Sequence, residues 1–326
     1  MGARFGHGFA ALIAIATMIG AESDAGAQDG LPTGERADQH YVNATRMVLR
    51  NVTKATRPTL LISEGETAAR ISYRVTKLRE ISVLSDIHRG QRVVVFSLGA
   101  VRALDSLARA WLADRELGRQ GCFRDYADYV LRGTAAGAAM AGGDDGPAAP
   151  GAVADFFSYG GDADGPCHGL AAADFAARAE LAEYNAAIMD ATIAFITLHA
   201  TAHHLLGHFD HDKINTRRRR AFEADADAWA FAHAIAIQVN PFAALPNWWV
   251  FSVLDGRDLT AGEGPLHPKG LHRFARRLEG VERASRDPRA YLRRFGVALP
   301  QEALDELGEV RVLVDRLLAP SAAGSD

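Results

Sequence analysis

Residues 195–229 read FITLHATAHHLLGHFDHDKINTRRRRAFEADADAW and hold the chain's densest set of metal-ligating side chains. His199 and His203 stand four residues apart, so on a helix their imidazoles share one face about a turn apart. That is the spacing of a two-histidine metal site. About twenty residues on, Glu223 and Asp227 repeat it on a second helix-like run. Glu223 offers a third ligand, and Asp227 offers a carboxylate to accept the free N–H of a metal-bound imidazole. A bound metal at such a group would act as a Lewis acid and activate water. Either segment alone reads as ordinary packing or a solvated face. Their agreement is what points to a metal.

A zinc peptidase helix carries His-Glu-x-x-His, in which the glutamate is general base. Here the residue after His199 is Ala200, and the stretch reads His-Ala-Thr-Ala-His. Alanine can neither take a proton from water nor return one to a leaving amine. Asp225 points off the ligand face and Asp227 is already engaged, so neither replaces it. His204 and His208 form a second register displaced by one residue. It ranks lower, with Leu205 at the glutamate position, and these two histidines are expected at the rim or bonded to nearby carbonyls. His211 and His233 read as surface residues, and Arg217–Arg220 as a solvated basic run at a helix start, against the helix dipole.

Taken in order, the histidine helix at His199 and His203, the Glu223-x-x-Ala226-Asp227 segment and His267-Pro-x-x-x-x-Arg273 resemble the gluzincin metallopeptidases, most closely the HtpX-like and CAAX-prenyl-endopeptidase-like group. The resemblance covers roughly residues 92–280. It implies an α+β, mainly α, zincin-like fold with a small sheet and a two-helix metal site. It implies Zn2+ held by His199, His203 and Glu223, with Asp227 behind a ligand histidine. His267 and Arg273 would face the cleft and stabilise the oxyanion. The strand at Arg92–Leu98 would be the edge strand to which an extended peptide or unfolded protein adds. Three readings follow: a zinc metallopeptidase lacking its general base at Ala200, an envelope pseudopeptidase or chaperone-like module that holds polypeptide without cutting it, and a helical protein with structural histidines.

The elements that must position these residues are partly legible. Leu170–Leu206 is alanine-rich, free of Gly and Pro, and predicted as one long helix that Gly207 ends. Thr216–Gln238 is a second, closed by Asn240-Pro241. Helices are also expected over Gly34–Ala55, Gly99–Leu117, Pro288–Phe295 and Pro300–Leu318, and strands over Thr59–Ile62, Ala69–Val75 and Arg92–Leu98. Asp86–Gln91 reads as the loop before the last strand. Residues 133–166, crowded with Gly, Ala, Asp and Pro, read as a long surface loop. Their Asp162 and Asp164 lack the remaining ligands of a calcium loop. Phe242, Trp248, Trp249 and Phe251 read as core packing.

The 326 residues, 48% hydrophobic, suffice for one sizeable core, read as a single domain over 28–320. A net charge of -4 gives no general attraction to nucleic acid or anionic membranes. Residues 1–27, with Arg4, an apolar run over Phe9–Ile19 and Ala25-Gly26-Ala27, read as a signal peptide. Export to the periplasm or the extracellular space is expected, with no membrane span in the mature chain. Residues 321–326 read as a frayed tail. Cys122 and Cys167, the only cysteines, read as a disulfide in an oxidising compartment, with free thiols as the alternative.

Overall fold

The structure, a computed structural model, describes residues 35–141, 154–160, 165–211, 216–241, 244, 275, 278–280, 282, 286–295 and 311. The expected signal peptide, His267, Arg273, the Asp162/Asp164 pair, the Phe242–Phe251 aromatics and the 321–326 tail lie outside the described residues. So does the Pro300–Leu318 helix, apart from Arg311.

The described residues are mainly helical, with one small mixed sheet. Helix α1 (Glu35–Thr56) ends at Pro58, in a 3-10 turn over Arg57–Thr59, and α2 (Ile62–Ala68) follows. The strand expected over Thr59–Ile62 is therefore absent. Proline at the turn start and Glu64, whose carboxylate accepts the Leu61 N–H at 2.8 Å, favour helical turns over an extended chain. Strands β1 (Ile71–Thr76), β2 (Val83–His88) and β3 (Gln91–Ser97) then build the sheet in the order β1-β3-β2. β1 runs parallel to β3, Ile71 opposite Arg92, and β2 runs antiparallel, Ser85 opposite Val94.

Two corrections follow. The first half of the stretch expected to be a loop before β3, Asp86–His88, belongs to strand β2, and the loop itself is the tight turn Arg89–Gly90, both residues at positive φ as the turns of short hairpins require. And β3 is the middle strand rather than an edge. Val94 and Phe96 are buried on one face and Val93 on the other, which suits a centre position. The edges are β1 and β2.

Ser97 closes β3 and caps helix α3 (Leu98–Glu116), its Oγ accepting from Ala100 N at 3.0 Å. Gly99 is required here, since a Cβ would sit 2.0 Å from the Arg79 carbonyl oxygen. Helix α4 (Cys122–Ala141) continues through Gly133 to Ala141, and α5 (Phe156–Tyr159) also falls within the stretch expected to be a loop over residues 133–166. Cys122 and Cys167 are disulfide-bonded, tying α4 to the segment before α6 (Ala172–Ala176). They are separated by 45 residues, and in the chain-entropy model closing such a loop is worth about 4 kcal/mol. Replacing both cysteines by serine is expected to lower unfolding stability by about 2–4 kcal/mol, read from urea midpoints at constant m.

The single helix expected over Leu170–Leu206 is two. A break at Ala177–Arg178 separates α6 from α7 (Ala179–Leu205). Tertiary contacts override local propensity there: Phe175 packs edge-on to Phe157, while the Arg178 guanidinium donates to the Glu116 carbonyl at 2.9 Å. α7 is apolar nearly all round and sits at the centre of the core, against α1, α3, the sheet and α8 (Thr216–Ala236). No segment after the leader is expected to be long and apolar enough to span a bilayer. By length and composition α7 is, although 67% of its most apolar window is buried inside the protein. Phe195 of α7 meets Phe231 of α8 edge-on at 5.9 Å. The last described helix, α9 (Pro288–Phe295), falls where the sequence predicts it.

Candidate metal centre

Helices α7 and α8 pack so that three donor atoms converge. His199 Nε2 and His203 Nε2 are 3.0 Å apart. Glu223 places Oε2 3.4 Å from the first and Oε1 3.6 Å from the second. Tetrahedral zinc with bonds of about 2.0–2.1 Å has ligand-to-ligand edges of about 3.3–3.4 Å. The nitrogen–nitrogen distance and the two nitrogen–oxygen distances, which run to different carboxylate oxygens, are near that edge length, and one donor atom from each residue lies within 4.8 Å of the others, so the residues present fit a metal ion. The imidazoles are mostly buried, whereas the Glu223 side chain is 33% exposed, which leaves the centre open to solvent on one side. Among the described residues this is the group of histidines and acids able to hold a metal.

Both histidines are oriented from behind. Asp227, buried on the turn of α8 after Glu223, places Oδ1 2.9 Å from His199 Nδ1. An ionised carboxylate only accepts, so Nδ1 carries a proton, and once the ring is neutral its Nε2 lone pair is the one that faces the centre. His203 has a different partner: its Nδ1 lies 3.0 Å from Nδ1 of His208. The helix end makes that contact. Gly207 is left-handed at φ +68, the His208 N–H bonds the His203 carbonyl at 3.0 Å, and the chain folds back in a Schellman motif that sets residue 208 beside residue 203. His208 then stacks on Phe222 of α8, with ring centroids 4.1 Å apart. Burial holds its pKa below the ordinary histidine value. A neutral His208 can accept the Nδ1–H of His203 and leave Nε2 of His203 free for a ligand role.

Helix and sheet meet at Ala200. Its methyl is buried, and its carbonyl accepts from Ser85 Oγ of edge strand β2 at 3.1 Å. His204, also buried, sets Nε2 3.2 Å from the Val93 carbonyl and 3.3 Å from Ser85 Oγ, locking α7 to the sheet rather than joining the ligands. His204 and His208, expected alike at the rim or bonded to carbonyls, have different roles: one ties the helix to the sheet, the other orients a candidate ligand. His211 is exposed, against Arg218. His233 is not the surface residue expected. It is buried, stacked on Trp229 at 3.8 Å and hydrogen-bonded to Thr59 Oγ1 at 2.8 Å, and burial lowers its pKa to about 4.

Without metal the centre holds a proton. Burial alone would depress His199, but Asp227 and Glu223 outweigh it and raise the pKa from 6.5 to about 9. Burial and the neighbouring His199 charge push His203 down to about 3. In the metal-free chain the His199 proton therefore stabilises the fold, a contribution complete below pH 6.5 and lost as pH rises through about 9. A metal must displace that proton. Binding at pH 7 is expected to release about one proton per ion, with affinity rising until about pH 9, and calorimetry in buffers of different ionisation enthalpy reads this directly. Asp227→Asn and His208→Ala are each expected to weaken zinc binding by about 10–100-fold, measured by competition with a chromogenic chelator.

No family model matches this chain, nor does any curated protein or solved structure, so its chemistry is argued from the geometry of the centre itself.

Proposed function

We propose that the chain is an exported zinc-binding protein of metallopeptidase type, resembling the gluzincins, whose parent reaction is peptide-bond hydrolysis and whose own sequence lacks the general base. The observation that carries this reading is the convergence of His199, His203 and Glu223 from two helices on one point, each histidine backed by an acceptor. Zinc supplies Lewis-acid chemistry when bound there, lowering the pKa of water and polarising a peptide carbonyl.

The chain's own residues do the rest. Asp227 and His208 hold the imidazole tautomers, and His204 with Ser85 fixes the distance between α7 and β2. The substrate would lie extended along β2, the edge strand beside Ala200, so the role expected of the strand at Arg92–Leu98 passes to Val83–His88. β2 pairs with β3 on one side only, so half of its backbone N–H and C=O groups point to its outer side, where a peptide would pair. His267 and Arg273 keep their proposed oxyanion role by resemblance alone.

Ala200 favours a second reading, a module that binds unfolded polypeptide in the same cleft without cutting it. Turnover of an unfolded protein by the Ala200→Glu chain, with and without a chelator, decides between the two. Chelator-sensitive cleavage supports the peptidase, and saturable binding without cleavage supports the module.

A further inference from the structure

A cavity of about 400 Å3 opens on the side of α7 away from the metal centre, between α1, the 3-10 turn, α2 and β1. Thr197 and Thr201, which line it, lie roughly half a turn around α7 from His199 and His203, so the helix separates the two sites. Its volume falls in the range of about 300–1,000 Å3 usual for small-molecule sites.

Its lining has two characters. Leu60, Ala68, Ile71 and Leu198 are apolar. The hydroxyls are already committed: Thr56 to the Val52 carbonyl at 2.8 Å, Thr197 to the Ile193 carbonyl at 2.6 Å, and Thr201 to the Thr197 carbonyl and to Tyr73 OH, each at 2.7 Å. Their protons are spent within the protein, so beside Leu60, Ala68, Ile71 and Leu198 the inner wall offers no free hydroxyl donor. Against it stand Arg50, Lys54 and Arg57, spaced by four and then three residues along one stripe of α1 and its 3-10 extension. Among the described residues no acidic side chain lines the cavity. None of the three cationic side chains has an ion-pair partner among the described residues.

Three unpaired cations beside an apolar wall match one ligand chemistry. Free phosphate would leave the wall unused, and a nucleotide base would meet a wall whose hydroxyl protons are already spent within the protein. We propose that this cavity binds a long-chain anionic amphiphile, its acid group at Arg50, Lys54 and Arg57 and its alkyl chain against Leu60, Ile71 and Leu198. Apolar surface continues past Leu60 into Leu61 and Ile62, 67% and 87% exposed at the start of α2, where an alkyl chain leaving the cavity or a bilayer supplying it would make contact. The ligand is then either a free fatty acid or an anionic phospholipid.

The test titrates the full chain with monomeric dodecanoate by calorimetry and, separately, measures its co-sedimentation with phosphatidylglycerol and phosphatidylcholine vesicles. One saturable dodecanoate site is expected. It should weaken about tenfold in Arg50→Gln/Lys54→Gln/Arg57→Gln, the order that three exposed charge contacts are worth. It should disappear in Ala68→Phe, which fills the cavity. The same affinity should remain in His203→Ala, which excludes carboxylate binding to a metal. Retention on phosphatidylglycerol but not phosphatidylcholine vesicles, reduced by Leu61→Ser/Ile62→Ser, identifies the lipid source, and dodecanoate binding without vesicle association identifies the free acid. The three cations are exposed, so their replacement leaves the fold intact even where Ala68→Phe does not. Absence of saturable binding to either probe, affinity indifferent to the charge variant, or binding lost in His203→Ala overturns the proposal.

Discussion

Ala200→Glu is expected to raise hydrolysis of a reduced, unfolded protein by about 10²–10⁴-fold over the unmodified chain, the range that a positioned general base contributes. The position follows His199 on α7, and its backbone is held by Ser85 of β2, so a carboxylate there would start one residue from a candidate ligand on a helix pinned to the sheet. The Ala200 methyl is buried, and a glutamate in its place is strained by desolvation until a metal compensates it. Metal-free Ala200→Glu should therefore be less stable than the unmodified chain by about 1–3 kcal/mol, and zinc should restore much of the difference. Ala200→Gln, similar in shape without a base, should show no gain in rate. A rate that stays at baseline while the metal is retained would assign the cleft to polypeptide binding.

His203→Ala is expected to cost more affinity than either supporting residue, hence more than the ~10–100-fold that an outer partner is worth. It removes one of the three candidate ligands and leaves His208 without its partner. The second readout is stability. Zinc at a hundredfold its Kd should stabilise the unmodified chain by about 2.7 kcal/mol, and the variant by almost nothing at the same concentration. An equal thermal shift in both proteins would show that the ion sits elsewhere, and a His203→Ala chain with altered stability but unchanged metal content would make the histidines structural.

The helices carrying the candidate ligands were legible because their signals are local. His199 and His203, like Glu223 and Asp227, repeat at the helical period within runs free of Gly and Pro. What pairs the two helices is tertiary, and no local pattern states it. Strand β2 escaped notice because its faces lack contrast: polar Ser85 points inward and apolar Leu84 is half exposed, which erases the period-two pattern. The break at Ala177–Arg178 has no Gly or Pro to mark it, since the contacts of Phe175 and Arg178 impose it. The role of His208 was within reach. Glycine at position 207 predicts a Schellman end, and that geometry returns the following residue to the turn containing His203. His233 misleads for the opposite reason: a lone histidine late in a helix reads as exposed until Trp229 and Thr59 close over it.

The shared ion is what the enzymatic and binding readings both require. Elemental analysis of the unmodified chain, purified at neutral pH without chelators, tests it most directly. About one zinc per chain is predicted, falling to none in a parallel preparation of His203→Ala. A chain that carries no metal and takes up none when zinc is added would contradict the account.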